Sequence, residues 1–168
     1  MSDVIVNKVA ESGLITLDPA EFIPKEEIIS FDLKDYLFMG LILKEKDFRQ
    51  ALTDHDWKLY VDKSVAVFCS ADAIIPNWAY MLVVSYLEGK AAFIYAGTPE
   101  ETFKAKYIQN LGGLKAELYT DKRIVLKGCG DKTIDGFVYL ELTKHLKPFV
   151  KSVMYGEPCS TVPVFKRK

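Results

Sequence analysis

The chain contains few of the residues that usually build metal and catalytic centres. Its 168 residues include two histidines and three cysteines. The cysteines stand far apart in sequence, so the close pairs such as Cys-x-x-Cys that commonly supply a structural zinc site are absent. Their odd number also argues against a disulfide framework and predicts free thiols or metal ligands.

An excess of charge of one sign and a long apolar run are lacking as well. The 22 basic and 23 acidic residues nearly cancel, so we expect no nucleic-acid partner. The longest uncharged run, residues 73–87, contains Pro76 and Asn77 and is too short to span a bilayer, so we expect no membrane association. No secretory signal is visible at Met1, which predicts a cytoplasmic protein.

Linkers rich in glycine, serine or proline are also missing, and no internal repeat is evident. We therefore expect a single α/β domain over residues 1–168. Within it we expect an N-terminal elaboration at 1–62, a β-α-β-α-β-α-β core at 63–157 and a tail at 158–168.

Strand and helix patterns alternate from Lys63 onward. Apolar runs predict strands at 65–68, 91–95, 123–126 and 150–155, and helices are expected at 76–87, 98–111 and 134–146. This alternation is typical of a mostly parallel sheet with flanking helices. The N-terminal segment looks irregular or short-stranded because it contains turn formers such as Asp18-Pro19.

Each cysteine follows one of the predicted strands. Cys69, Cys129 and Cys159 would gather at one edge if those strands were parallel neighbours, and this is the edge where α/β sheets place their sites. Three thiolates would leave one coordination position for Asp72, Asp131, Glu157, water or a substrate. Such a set suits zinc with an open position or an iron–sulfur cluster with one non-cysteine iron.

Two other readings of the cysteines stay open. Cys129 lies between Gly128 and Gly130, and Lys127, Lys132 and the start of the next helix would favour its thiolate form. The chain would then be a small enzyme with Cys129 as nucleophile and backbone N–H groups stabilising an oxyanion. Alternatively the cysteines simply pack as small hydrophobic residues in a non-catalytic binding module.

Polar residues around the cysteines are candidate supporting groups, although turns and helix caps use the same residue types. His55 and His145 are expected at the opposite edge of the sheet, which weakens a Cys-His hydrolase. The candidate supporting residues are Ser70, Asp72, Asn77, Asp131, Glu157 and Ser160.

Five segments carry a resemblance to a known family. They read Phe31-Asp-Leu-Lys-Asp-Tyr-Leu-Phe, Glu45-Lys-Asp-Phe-Arg, Phe68-Cys-Ser-Ala-Asp-Ala-Ile, Lys127-Gly-Cys-Gly-Asp and Tyr155-Gly-Glu-Pro-Cys-Ser-Thr-Val-Pro. Nearly the whole chain resembles an uncharacterised bacterial family, domain of unknown function 2480. The resemblance implies one intact domain with no established activity. It also implies an association with iron–sulfur assembly, and hence iron–sulfur assembly proteins as partners.

Overall fold

The structure is a computed structural model that describes residues 13–130 and 132–168. It confirms the α/β class, with helices connecting parallel strands. In chain order, the strands are β1 (Leu14–Leu17), β2 (Ile28–Asp32), β3 (Leu37–Phe38), β4 (Ile42–Leu43), β5 (Ser64–Phe68), β6 (Phe93–Ala96), β7 (Arg123–Lys127), β8 (Ser152–Glu157) and β9 (Ser160–Lys166).

Four α-helices and four short 3₁₀ helices lie between these strands in the described part of the chain. The α-helices are α1 (Glu45–Asp54), α2 (Asn77–Leu87), α3 (Pro99–Gly112) and α4 (Gly136–Leu146). The 3₁₀ helices span Pro19–Phe22, Leu33–Tyr36, Trp57–Tyr60 and Ala116–Tyr119. No described helix is both long enough and apolar enough to cross a membrane.

The chain forms two compact units rather than one continuous sheet. The first unit holds residues 13–23 and 107–168, and the second holds residues 24–106. The sheet of the first unit has the order β1-β7-β8-β9, in which β9 alone is antiparallel to its neighbour. The second unit has the parallel sheet β2-β5-β6 and the small antiparallel pair β3-β4.

The N-terminal and C-terminal segments contribute more to the sheets than the sequence predicts. β1 and β2 both lie within 1–62, and each supplies an edge strand to a different sheet. Residues 160–166, expected in a tail, form β9 against β8. The pattern is hard to read because β1 is short and β9 contains Pro163. Residues 1–12 of the predicted elaboration lie outside the described part.

The helices bury the apolar stripes that their spacing creates. In α4 the predicted stripe of Val138, Leu142 and Leu146 is fully buried. In α2 the buried face is one position away from the predicted one, because Ala79 and Val83 are fully buried whereas Ser85 is exposed. This helix is apolar on most of its surface, so periodicity alone does not determine which side faces the sheet.

The two units share three parallel strands and one helix in the same register. Strands β5 and β7 begin at Ser64 and Arg123, 59 positions apart, and the same interval separates the starts of α2 and α4. The strand pairing repeats as well, since Ser64 lies opposite Phe93 and Arg123 lies opposite Ser152. On their other edge, β7 pairs with β1 and β5 pairs with β2. In each pair the first residues of the two strands lie opposite each other.

A short sequence motif accompanies this structural repeat. Leu59–Lys63 reads Leu-Tyr-Val-Asp-Lys and Leu118–Lys122 reads Leu-Tyr-Thr-Asp-Lys. The aspartates Asp62 and Asp121 both have a left-handed backbone, with φ of 60° and 59°. These observations correct the expectation that the chain contains no internal repeat. The repeat is hard to see in the sequence because most core positions exchange one apolar residue for another.

Candidate functional site

The first unit has a pocket at the carboxyl end of its parallel strands, where open α/β sheets bind ligands. It has a volume of about 180 Å³ and is lined by Cys129, its two flanking glycines, and the side chains of Asp18, Lys127, Lys132, Ile134 and Tyr139. Strand β7 ends at Lys127, and the segment Gly128-Cys129-Gly130 continues directly from it. The edge predicted for Cys129 is therefore the edge where this pocket lies.

Asp18 links the ends of two neighbouring strands at this pocket. It follows β1, and its Oδ1 accepts a hydrogen bond from the backbone N–H of Ala20 at 2.9 Å, which caps a 3₁₀ helix. Its Oδ2 is 2.9 Å from the Nζ of Lys127. The Lys127 ammonium, aided by the Ala20 N–H, lowers the pKa of Asp18, so this carboxylate is ionised at neutral pH.

Two tyrosines hold the loop after β7. The Tyr139 hydroxyl donates to the carbonyl of Lys127 at 3.0 Å, and burial, with a contribution from Tyr155, raises the pKa of Tyr139. The Tyr155 ring lies against Gly128, where a Cβ would stand 2.6 Å from the Tyr155 Cζ. Only glycine fits at position 128 with this ring in place. The backbone beside Cys129 is therefore held by specific contacts.

Cys129 and Cys159 follow neighbouring strands of the first unit, as the sequence predicts. β7 and β8 are paired in parallel, with Lys127 opposite Gly156. Both thiols are free and exposed. Cys159 lies in the turn between β8 and β9, and one carboxylate oxygen of Glu157 in the same hairpin is buried without a hydrogen-bond partner.

Cys69 belongs to the sheet of the second unit, which corrects the expectation that all three cysteines share one sheet edge. It follows β5, and its Sγ donates to the carbonyl of Ala71 at 3.6 Å. The side chain is half-buried and packs against the apolar core of that unit. The sequence could not show this because a pattern of strands does not tell which strands share a sheet. Packing is the role that the contacts of Cys69 support.

The polar candidates near the cysteines have mostly local roles. The backbone N–H of Ser70 donates to Asp32 at 3.0 Å, Asp72 is exposed, and Asn77 is the first residue of α2. Ser160 is exposed and pairs with Glu157 across the β8-β9 turn. Asp131 lies outside the described residues. Within residues 13–130 and 132–168, no three histidine, cysteine or acidic side chains form a group that could hold a metal ion.

Both histidines form hydrogen bonds with groups other than cysteine. His145, near the end of α4, has its Nε2 2.8 Å from the carbonyl of Leu114. His55 lies between the hydroxyls of Tyr36 and Tyr60, at 3.2 and 3.1 Å. Burial lowers the pKa of His55, which fits its position among aromatic rings. Neither histidine lines the pocket of Cys129.

Asp18 and Tyr139 line the pocket but were not predicted from sequence. Asp18 stands in an Asp-Pro pair, which reads first as a turn signal. Tyr139 looks like one more aromatic residue on a helix. One signal was available, since Asp18 and Asp32 each follow an apolar run and each cap the next 3₁₀ helix.

Comparison with known proteins gives a family but no activity. No curated protein and no solved structure is significantly similar to this chain. The family model described as "Protein of unknown function (DUF2480)" matches residues 3–167. The match covers nearly the whole chain, so the chain belongs to the DUF2480 family of proteins of unknown function.

Proposed function

We propose that the protein is an enzyme in which the Cys129 thiolate attacks a small anionic electrophile. The observation that carries this proposal is the pocket that brings the thiol together with two glycines and two lysines at the carboxyl end of β7. Cysteine needs no histidine base for such a reaction, because a free thiol is a few per cent ionised at pH 7 and the thiolate is intrinsically nucleophilic.

The charges around the pocket favour an anion. Lys127 forms an ion pair with Asp18, whereas Lys132 is exposed and has no ion-pair partner within the described part of the chain. Among the described residues, one negative and two positive side chains line the pocket, a net charge of about +1. The Gly128 N–H donates to the Gly156 carbonyl at 3.2 Å, so the N–H groups of Cys129 and Gly130 are the backbone donors proposed for a developing oxyanion.

Alkylation with two reagents of matched size tests this proposal. Iodoacetate and iodoacetamide are added separately near neutral pH, and peptide mass spectrometry measures the labelling rate of each cysteine. Cys159, an exposed thiol outside this pocket, is the internal control. We expect the ratio of the iodoacetate rate to the iodoacetamide rate to be about three times higher at Cys129 than at Cys159, because one net charge nearby contributes about 0.5–1 kcal/mol.

Two variants complete the experiment. Lys132→Gln removes one positive charge, and we expect the Cys129 ratio to fall to the Cys159 value. A smaller thiolate fraction slows both reagents equally and cancels in the ratio. Cys129→Ser identifies the labelled peptide by its loss. Equal ratios at Cys129 and Cys159 in the unsubstituted protein would refute the proposal.

Zinc or an iron–sulfur cluster, with iron–sulfur assembly proteins as partners, stays a prediction from the sequence. Of the three cysteines named for it, Cys129 and Cys159 follow paired strands and Cys69 belongs to the other sheet. Iron and zinc analysis of protein purified without air tests it directly. Metal at a stoichiometry near one, lost in both Cys129→Ser and Cys159→Ser, would favour that reading over the nucleophile.

A further inference from the structure

The second unit has its own pocket, at the carboxyl ends of β5 and β6. Its volume is about 500 Å³, within the range of about 300–1,000 Å³ that small-molecule sites occupy. Its lining includes Phe68, Cys69, Tyr80, Ala96, Thr98 and Glu101. All these residues lie in the second unit, so the site is distinct from the pocket of Cys129.

The internal repeat explains why this pocket is open. Ala96 lies opposite Val67 in the second unit, and Tyr155 occupies the corresponding position opposite Leu126 in the first. The Tyr155 ring lies against Gly128, whose counterpart in the second unit is Cys69. The first unit thus pairs a large ring with glycine, and the second pairs a small alanine with cysteine. The second unit thus has only a methyl group where the first unit has the Tyr155 ring, which leaves room beside Cys69.

The side chains around this space have the chemistry of a cation site. Glu101 is the one charged side chain in the lining, and no lysine or arginine of the described chain lines it. The Glu101 Oε2 accepts hydrogen bonds from the backbone N–H and the hydroxyl of Thr98, at 2.8 and 3.1 Å. These bonds, with a smaller contribution from the nearby charge of Lys104, lower the pKa of Glu101, which keeps the carboxylate ionised. Phe68 and Tyr80 add aromatic surface, which attracts organic ammonium groups.

We propose that the second unit binds a small organic cation, an amine with an apolar or aromatic body, in the pocket between Tyr80, Ala96 and Glu101. The ammonium group faces the Glu101 carboxylate, and the apolar body packs against Phe68 and Ala96. This site needs neither Cys129 nor the chemistry proposed for the first unit. The two units therefore bind ligands of opposite charge.

Three probes of similar shape and different charge test the site. Benzylamine, benzyl alcohol and benzoate are titrated separately into ¹⁵N-labelled protein, and backbone amide shifts are followed by NMR. We expect benzylamine to produce saturable shifts at Gly97 and Thr98, with benzoate at least about tenfold weaker because of its like charge beside Glu101. Absence of benzylamine shifts at these amides, or equal binding of the three probes, would overturn the proposal.

Variants taken from the other unit test the position of the site. Cys69→Gly combined with Ala96→Tyr copies the arrangement of Gly128 and Tyr155, and we expect it to weaken benzylamine binding at least about tenfold by filling the pocket. Leu59→Ala, at an exposed side chain of the second unit that does not line the pocket, is the control and should bind normally. Glu101→Gln is an independent variant expected to weaken benzylamine about threefold without affecting benzyl alcohol. Unchanged benzylamine binding in the filled variant or in Glu101→Gln would refute the assignment.

Discussion

Replacing Asp18 by asparagine separates two interactions of one side chain. Oδ1 caps the 3₁₀ helix through the Ala20 N–H, and Oδ2 pairs with the Lys127 ammonium at 2.9 Å. Asparagine is as good a helix cap as aspartate, so Asp18→Asn keeps the cap and loses the ion pair. Alanine at position 18 loses both interactions. The two variants therefore measure the ion pair alone and the ion pair together with the cap.

The expected magnitudes follow from exposure. The Asp18 and Lys127 side chains are 32% and 34% exposed, so solvent screens the pair and its contribution is about 1 kcal/mol. The cap contributes about 1 kcal/mol more. We expect the free energy of unfolding in urea at pH 7 to fall by about 1 kcal/mol in Asp18→Asn and about 2 kcal/mol in Asp18→Ala.

Asp32 provides a matched control in the other unit. It caps the 3₁₀ helix Leu33–Tyr36 and accepts the Ser70 N–H, but has no ion-pair partner in the described residues. Asparagine can accept the same two bonds, so Asp32→Asn should cost less than about 0.5 kcal/mol. An Asp18→Asn variant no less stable than Asp32→Asn would refute our account of the Asp18 pair.

The pH dependence gives a second measure of the same pair. The pKa of Asp18 is lowered in the folded protein, so its stabilisation is present above the ordinary carboxyl pKa near 3.8 and is lost as the pH falls through the lowered value. The stability difference between the unsubstituted protein and Asp18→Asn should shrink over that acidic range. Asp18→Asn also removes one negative charge from the pocket lining, which should raise the iodoacetate rate at Cys129 by about twofold to threefold.

The remaining predictions concern the core of each unit. Leu87→Ala and its counterpart Leu146→Ala each remove a fully buried side chain and should each cost about 2–5 kcal/mol in urea unfolding. The exposed Leu118→Ala is the control, and losses as small as its own would contradict the packing described here. Tyr107→Phe removes a 2.6 Å hydrogen bond to the Pro19 carbonyl and should cost about 1–2 kcal/mol. Burial raises the pKa of Tyr107 to about 12, so its stabilisation is full below pH 10 and lost as the pH rises through 12, an alkaline loss that Tyr107→Phe should diminish.

The local elements of this fold are readable from the sequence, whereas their assembly is not. The stripe in α4 and the strand after Lys122 are strong periodic signals, and the structure confirms both. The division into two sheets depends on contacts between residues far apart in the chain. Apolar runs carry no information about their partners, so strands that share one sheet and strands divided between two sheets give the same alternation of helix and strand.

The candidate site shows the same limit at the level of single residues. Cys129 and its glycines are evident in sequence because glycine marks a sharp turn. Asp18 lies 109 positions before Lys127, and only the pairing of β1 with β7 brings their side chains together. The pocket of the second unit was missed for a related reason. It is open because Ala96 is small, and the small size of Ala96 is noticeable only in comparison with its counterpart Tyr155.

The repeat changes how the three cysteines should be interpreted. The counterpart of Cys69 in the first unit is Gly128, and the counterpart of Cys129 in the second unit is Ser70. The thiols therefore do not recur at one position of the repeated fold. The units share their buried strands and helices, whereas the residues after each strand differ. Divergence at the carboxyl ends of the strands, over a retained core, is the pattern expected if each unit has acquired its own ligand. Serine at the Cys129 position is already accommodated in the second unit, so we expect Cys129→Ser to fold normally and to report on chemistry alone.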